Sequence, residues 1–589
     1  MNKYRFKGKI FFREIIHSRL TGILHNRKKD IIMALPIPPA PAPRAPVVQG
    51  IDLNNALVSD HTNKYESMLA NISQSMTQQN ATLIANPFNT APLCLYLGFY
   101  WPTAAETATI TVADNAGINI PLTFTQPVVP GANLVPVAGL IPDTSNIITL
   151  KTSAATTQHE YITSALPPTD ADSPTGFQKF PVISLVKPVV DPAALAPGLY
   201  FTTHFNRYNL AIDYQAVVRW YTTQEIPSYN MMRLPNGHFL SAAQNFNAYK
   251  TMYEFDMMGR VWTVYKLDNE LHHSLFLRPN GQLVVGSEYS GLRPDGTHSV
   301  EDGVSFIDLS TGYETAYYDM NYVMDRNRPT RPSAADVTLN DWLHINQCYV
   351  NETNQILVCS SRHQSAVFGV DLATSQLVFI MGNHENWSAD YADYLLTPCD
   401  ENNQPLDWTQ DELNQNYWNW GQHNAIEVAN SNIGFLDISL FNNSNYRSND
   451  DSKSVESVDN QSRIDHFRID LNAKKVSKLS EISGGNKGYS SLCGAKEIQP
   501  NGNIVVHYGG ATFDEKGQAI TCDPGASDII YAGWGETAEG ILPLQEISST
   551  GEILFDVTFR SGRAKSEAVD GAGFRYDMTA FRVYKMPLF

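Results

Sequence analysis

Between residue 84 and about residue 155 the chain alternates apolar and polar positions in short runs. They read C-L-Y-L-G-F-Y-W, T-A-T-I-T-V, I-P-L-T-F and N-I-I-T-L, with turn residues between them. Period-two alternation places successive side chains on opposite faces, so each run predicts a strand with one face on a core. About four to seven such strands predict a small β-sandwich. A Pro- and Ser-rich stretch, about 153–198, follows.

From about residue 200 the pattern repeats itself. An apolar strand ends in Asp, a turn follows and a second strand begins, at Asp213, Asp256, Asp308, Asp371 and Asp470, and without the Asp at Ile547. Successive copies lie 43, 52, 63, 99 and 77 residues apart, a propeller-like period with insertions. A second phrase is a hairpin: L-P-N-G-H-F-L, R-P-N-G-Q-L-V-V, N-E-T-N-Q-I-L-V and Q-P-N-G-N-I-V-V. Asn-Gly between apolar runs predicts a tight turn with both turn positions at positive φ. Two hairpins per repeat make a four-stranded antiparallel unit, and six copies predict a six-bladed β-propeller. The C-terminal F-R-V-Y-K-M-P-L-F is placed to complete the first blade and close the ring. The expected organisation is all-β: a basic leader and Pro-rich linker over 1–50, a β-sandwich over 51–198 and a propeller over 199–589. Two insertions, about 383–420 and 442–463, are polar and rich in Trp and Tyr, and loops of that size are often functional.

Composition adds limits to this picture. A chain of 589 residues exceeds one ordinary core, and 28 Tyr, 37 Gly and 33 Pro with only 17% charged residues favour strands and turns. The net charge of −18 hides an asymmetry: residues 1–44 carry +8 and the remainder −26. An acidic body excludes nucleic acid as the main partner, and any anionic substrate needs a local cluster of donors. The first 32 residues are basic, with charges interrupting every apolar stretch, and make a poor secretory signal. A degenerate leader, a membrane-surface helix and untranslated sequence before a start at Met33 all fit. No apolar run approaches the roughly twenty residues of a membrane span. The six cysteines show no metal-binding spacing and read as small buried apolar residues.

Polar residues at the heads of the predicted inner strands are the candidate chemistry. His272 and His273 stand in L-H-H-S-L, His344 and Asn346 in W-L-H-I-N-Q, Arg362 in S-S-R-H-Q-S, and His423 in W-N-W-G-Q-H-N-A-I. Similar positions in successive blades converge on the mouth of a propeller's channel. His344 and Asn346, two apart on a strand, face one side and need polar partners there. Arg362 enters on the returning strand of the same hairpin and calls for an anion, most simply a bound oxyanion. A three-histidine zinc site would sit poorly beside a guanidinium, so neither metal nor cofactor is expected. Aligning the hairpins places His272 opposite His344 and turns His273 toward the blade. His273 and Trp420 are read as substrate-binding, the Trp/Tyr-rich loops being suited to stack on an aryl ring. His238, His363, His384 and His507 read as structural, with His363 pointing away from Arg362.

The segments H-I-N-Q, S-S-R-H-Q-S-A-V-F-G-V-D, G-N-H-E-N-W, Y-L-L-T-P, W-G-Q-H-N-A and A-F-R-V-Y-K-M-P-L-F resemble the bacterial arylsulfate sulfotransferases. These are PAPS-independent enzymes with an N-terminal β-sandwich and a six-bladed propeller, and the resemblance covers roughly residues 50–589. It implies that His423 takes a sulfuryl group covalently, supported by His344, Asn346, Arg362 and one of His272 and His273. It further implies ping-pong transfer from an aryl sulfate to a phenol through a sulfohistidine, a periplasmic location, and a homodimer contact through the sandwich. The enteric members carry a close cysteine pair before the nucleophilic histidine, where this chain has W-T-Q-D-E-L-N-Q-N-Y and only Cys399 upstream. On the residues alone, a non-catalytic propeller binding an anionic or glycan ligand and an aryl sulfatase also fit.

Overall fold

A computed structural model describes residues 49–169, 180–204, 207–223, 230–242, 250–289, 299–329, 341–428, 431–455, 459–483, 489–491, 493–510, 512–513, 539–563 and 580–589. The basic leader and Cys522 lie outside the described residues.

Seven N-terminal strands form two antiparallel sheets. One holds Thr82–Ala85, Cys94–Trp101 and Gly131–Ala138; the other holds Leu122–Val128, Glu106–Asp114, Ser145–Lys151 and Thr156–Ile162. Leu95, Leu97 and Phe99 point into the sandwich with Ile110, Val112, Ile148 and Leu150. The alternate residues Cys94 and Tyr96 pack instead with Phe201, Trp220 and Val261 of the propeller. The strand is buried on both faces, which explains its nearly unbroken apolar run. A helix over Ala56–Ala70, capped by the Asn55 side chain on the Leu57 and Val58 N–H groups, packs on the same cluster.

Six antiparallel sheets of four strands each form the propeller, three of the six carrying added strands. Their innermost strands are Ala580–Met586 (blade one), Asn230–Arg233, Glu270–Leu277, Ile345–Asn351, His423–Glu427 and Ala495–Ile498 (blades two to six). The C-terminal strand pairs with Leu199–His204 and so closes the ring in blade one, as the sequence suggested. The closure is locked by a buried ionic cluster. Lys585 Nζ contacts the Glu546 carboxylate of blade six and donates to Tyr200 Oη at 2.9 Å, and Tyr200 donates to Glu546 Oε2 at 2.6 Å.

Two segments from the stretch expected to precede the propeller are built into it. Gly50–Ile51 pairs with Val261–Lys266 on the outer edge of blade two, and Val182–Lys187 pairs with Ile553–Arg563 on the outer edge of blade six. Each covers an otherwise open strand edge. Arg219 of blade one, fully buried, donates to Gly139 O and Ile120 O of the sandwich while paired with Asp213.

Both repeated phrases have a structural explanation. In the five copies that carry it, the phrase's Asp accepts backbone N–H from the turn that follows, as Asp256 does from Met258 and Arg260 and Asp371 from Ala373 and Thr374. In the sixth copy Ser548, one residue beyond Ile547, takes this role for Thr550 and Glu552. The three Pro-Asn-Gly hairpins differ from the expected turn. Gly237, Gly281 and Gly502 alone adopt positive φ, because Pro pre-sets a type I turn that ends in a left-handed glycine.

Candidate active site

The inner strands of blades three, four and five share a defect at the same end. Their registers shift between His272 and Leu275, between Ile345 and Gln347, and between His423 and Ile426. Each shift is a bulge, with a non-glycine residue in or beside it at positive φ: His273 (57°), His344 (53°) and Asn424 (48°). Bulges re-aim side chains, and strained backbone of this kind gathers at functional sites. Cys493, just before the inner strand of blade six, is held at φ 53° as well.

These bulges bring the polar residues of separate blades together. The His273 ring lies 4.9 Å from that of His344, which lies 4.6 Å from that of His363. His423 is 1% exposed, and the charges of Arg362, His344 and Arg582 all bear on it. Asn346 donates from Nδ2 to Gln422 O at 2.7 Å, directly before His423, and its buried Oδ1 accepts no hydrogen bond.

Alternation along an ideal strand would send one of His272 and His273 into the blade. The bulge overrides it: both rings are buried in the same cluster, their Nδ1 atoms 3.2 Å apart. His273 packs against His344 and Phe581 and feels the charge of His423. His272 lies behind it, over Gly286.

Arg362 and His363 occupy the turn after the strand Ile356–Ser361, where strand alternation does not apply. The two side chains therefore do not diverge. Arg362 Nη1 donates to His363 Nε2 at 2.6 Å, so His363 donates from Nδ1, to Asp341 O at 2.6 Å. His363, read from the sequence as structural, belongs to the site. Arg362 makes no ion pair with a carboxylate among the described residues, and its buried Nε makes no hydrogen bond. It lines a small cavity of about 30 Å³ together with His363, Trp420, Asn445 and Tyr446. Trp420 forms one wall of that cavity but is otherwise a core residue, 2% exposed, its indole N–H donating to Asn414 O at 3.2 Å. The other histidines read as structural have such partners: His238 pairs with Glu254, His384 bonds to Leu396 O, and His507 bonds to Thr202.

Sequence reasoning missed the carboxylates. His344 Nδ1 hydrogen-bonds to Asp341 Oδ2 at 2.8 Å, and Glu301 Oε2 lies 2.7 Å from the same nitrogen as a charge contact. Burial alone would lower the His344 pKa, but the two carboxylates outweigh it and push it up to about 9. Its Nε2 makes no hydrogen bond to any described residue. The site thus holds an imidazolium with a free N–H. His273 Nδ1 lies farther from Glu301, 3.6 Å from its Oε1, and His423 makes no ion pair with a carboxylate among the described residues; burial, with the neighbouring positive charges, drives both well below the usual histidine range. Asp341, three residues before His344 in D-W-L-H, was within reach of sequence reading as a local His–carboxylate pair. Glu301 carried no comparable signal.

His423 is held from both sides of its ring. Nδ1 lies 2.8 Å from Asn443 Oδ1, and Nε2 accepts the Cys493 N–H at 3.2 Å. Two trios, His272/His273/Glu301 and Asp341/His344/His363, each have ligand atoms within 4.8 Å of one another, the spacing of a metal site. Within the second trio the carboxylate already answers the His344 charge.

The buried imidazole of His423, a guanidinium with no carboxylate partner among the described residues and the carboxylate-backed His344 thus come together from the inner ends of blades four and five of a six-bladed propeller. The chain belongs to the arylsulfotransferase (ASST) family, whose profile matches residues 186–567, while the arylsulfotransferase Ig-like domain matches residues 82–169. Arylsulfate sulfotransferase AssT of Escherichia coli O6:H1 is 24% identical over 307 residues, 44% of this chain and 49% of that protein. The AssT of Lelliottia amnigena is 23% identical over 245 residues, 34% of this chain and 40% of that protein. The chain thus spans about half the length of the curated relatives it matches. Among solved structures, the WD40 domain of Neurospora crassa Pan2 has a TM-score of 0.26 at 8% identity, covering 65% of this chain and 97% of that one. A score at that level carries no argument, and the fold rests on the sheets described above. No helix among the described residues is long and apolar enough to cross a membrane.

Proposed function

We propose that the protein is an aryl sulfotransferase that works by ping-pong transfer through a sulfohistidine at His423, without PAPS. The observation that carries this reading is the pairing of a neutral, buried His423 with an Arg362 that has no carboxylate partner among the described residues. Sulfuryl transfer, like phosphoryl transfer, asks the protein mainly to position reactants and hold charge on equatorial oxygens. Arg362 supplies a fork of donors for those oxygens, with His273 and the second Asn346 N–H beside it.

In the first half-reaction His423 Nε2 attacks the sulfur of an aryl sulfate. The N–S bond forms, the S–O(aryl) bond breaks, and the electron pair leaves on the phenolate oxygen. His344, an imidazolium with a pKa near 9 and a free Nε2–H, is matched to a phenol of pKa about 10 and protonates it. A phenolic acceptor then gives its proton back to His344 and takes the sulfuryl group from His423. Phenolate leaves far more readily than an alkoxide, which favours aryl donors and phenolic acceptors. By family resemblance the reaction belongs in the periplasm and the enzyme is a homodimer through the sandwich.

The test is direct. The protein is incubated with an aryl sulfate and digested under alkaline conditions, and sulfate is expected on the His423 peptide. Absence of label, with unaltered turnover in His423→Ala, would remove the mechanism. Acceleration by added phenol separates a transferase from a sulfatase, and no turnover at all would leave a binding propeller.

A further inference from the structure

We propose that Asn443 is a positioning residue that sets the tautomer of His423 and leaves its Nε2 lone pair free to attack. The inference rests on His423 being the nucleophile.

Asn443 is fully buried just beyond the second strand of blade five, and its Nδ2 donates to Ser490 O and to Cys493 O, each at 2.8 Å. Two carbonyls accept at that end, so it must be the NH₂ end, and the amide cannot flip without setting oxygen against oxygen. Its Oδ1 therefore faces His423 Nδ1 at 2.8 Å as a pure acceptor. Nδ1 must carry the hydrogen, and in a neutral ring the lone pair is then on Nε2. The Cys493 N–H at 3.2 Å from Nε2 requires the same tautomer. Ser490 and Cys493, just before the inner strand of blade six, thus control both ring nitrogens, Nε2 directly and Nδ1 through Asn443. The Cys493 N–H is the contact that incoming sulfur must displace.

The neutrality of Asn443 matters as much as its geometry. His344, whose Nδ1 faces carboxylates, is held protonated. A carboxylate at 443 would treat His423 likewise and remove its lone pair. An amide oxygen orients the ring while burial keeps it neutral. It also shares the positive charge that forms on the ring as the N–S bond is made.

The test uses the whole protein labelled with ¹⁵N-histidine, with the His423 signals identified by their loss in His423→Ala. Resting enzyme should show a protonated Nδ1 and an unprotonated Nε2; a proton on Nε2 overturns the proposal. Asn443→Leu should slow the single-turnover release of phenol by about 10- to 100-fold with donor affinity unchanged, and a rate within twofold of wild type overturns it. Asn443→Asp should move the acid limb of that half-reaction to higher pH, because the ring must now lose a proton against a carboxylate. An unmoved limb counts against the role. A failure to fold in Asn443→Leu does not remove the test, since the tautomer is read in the unsubstituted protein. If the sulfohistidine reading fails, no label reaches His423 whatever its tautomer. If only this inference fails, label forms on a ring with the opposite tautomer.

Discussion

His344 donates from Nδ1 to Asp341 Oδ2 at 2.8 Å, and that bond assigns the two histidines of the proposed reaction their separate charges. His344 is cationic because this carboxylate and Glu301 face it; His423 is neutral because burial and the Arg362 charge disfavour its cation and an amide, not a carboxylate, faces its Nδ1. Asp341→Asn keeps the hydrogen bond and removes the charge. The His344 pKa should fall from about 9 toward the ordinary histidine value near 6.5. A group raised in the folded state stabilises fully below its unfolded pKa, and that contribution disappears as pH rises through the folded value. The window here runs from about 6.5 to about 9. In a pH–rate profile with poor aryl leaving groups, the variant's alkaline limb should move down, with a loss of about tenfold at pH 8. An alkaline limb that stays in place would show that another group supplies the proton.

The bulge in blade three makes a second prediction. His273 packs its ring against that of His344, while His272 contacts the His273 ring and makes no ring contact with His344. His273→Ala should lower kcat/KM for sulfuryl transfer by about 10²- to 10³-fold, as for loss of a direct oxyanion donor. His272→Ala should cost about tenfold, as for a residue that orients another. Steady-state kinetics on the two variants decides, and the reverse order would return His272 to the site.

Ring closure depends on Lys585 and Glu546, which are 1% and 0% exposed at the side chain. Lys585→Met leaves the Glu546 charge buried with, among the described residues, only neutral donors: the Ala196 N–H, Tyr200 Oη and Asn503 Nδ2. Urea denaturation should show a loss of about 3–5 kcal/mol, most of it recovered when Glu546→Gln is added, because the buried charge is then gone from both sides. A loss below about 1 kcal/mol in the single variant would mean that the closure does not depend on this pair.

Much of the fold was legible because its code is local. The Asp turns and the Pro-Asn-Gly hairpins lie within five residues of the strands they join, so they mark each blade wherever insertions fall. Even here one detail escaped: the sixth copy uses Ser548, and only its hydrogen bonds to Thr550 and Glu552 reveal the shift. The site was legible in part. His344, Asn346, Arg362 and His423 head strands or turns at one end of their blades, and repetition alone places them together.

By itself the sequence determined the repeat, the blade count, the closing role of the C-terminal strand and the set of polar residues that head the inner strands. Each follows from periodicity, turn chemistry or motif, which act over a few residues. Only the tertiary structure decided which of two adjacent imidazoles faces His344, that His363 joins Arg362, and that Asp341, Glu301 and Asn443 set the charge and tautomer of the histidines. The physical reason is that a bulge or a turn cancels strand alternation, so a side chain's direction no longer follows from its place in the run. The remaining partners are brought together across blades: Asn443 meets His423 from 20 residues away, and Cys493 meets it from 70.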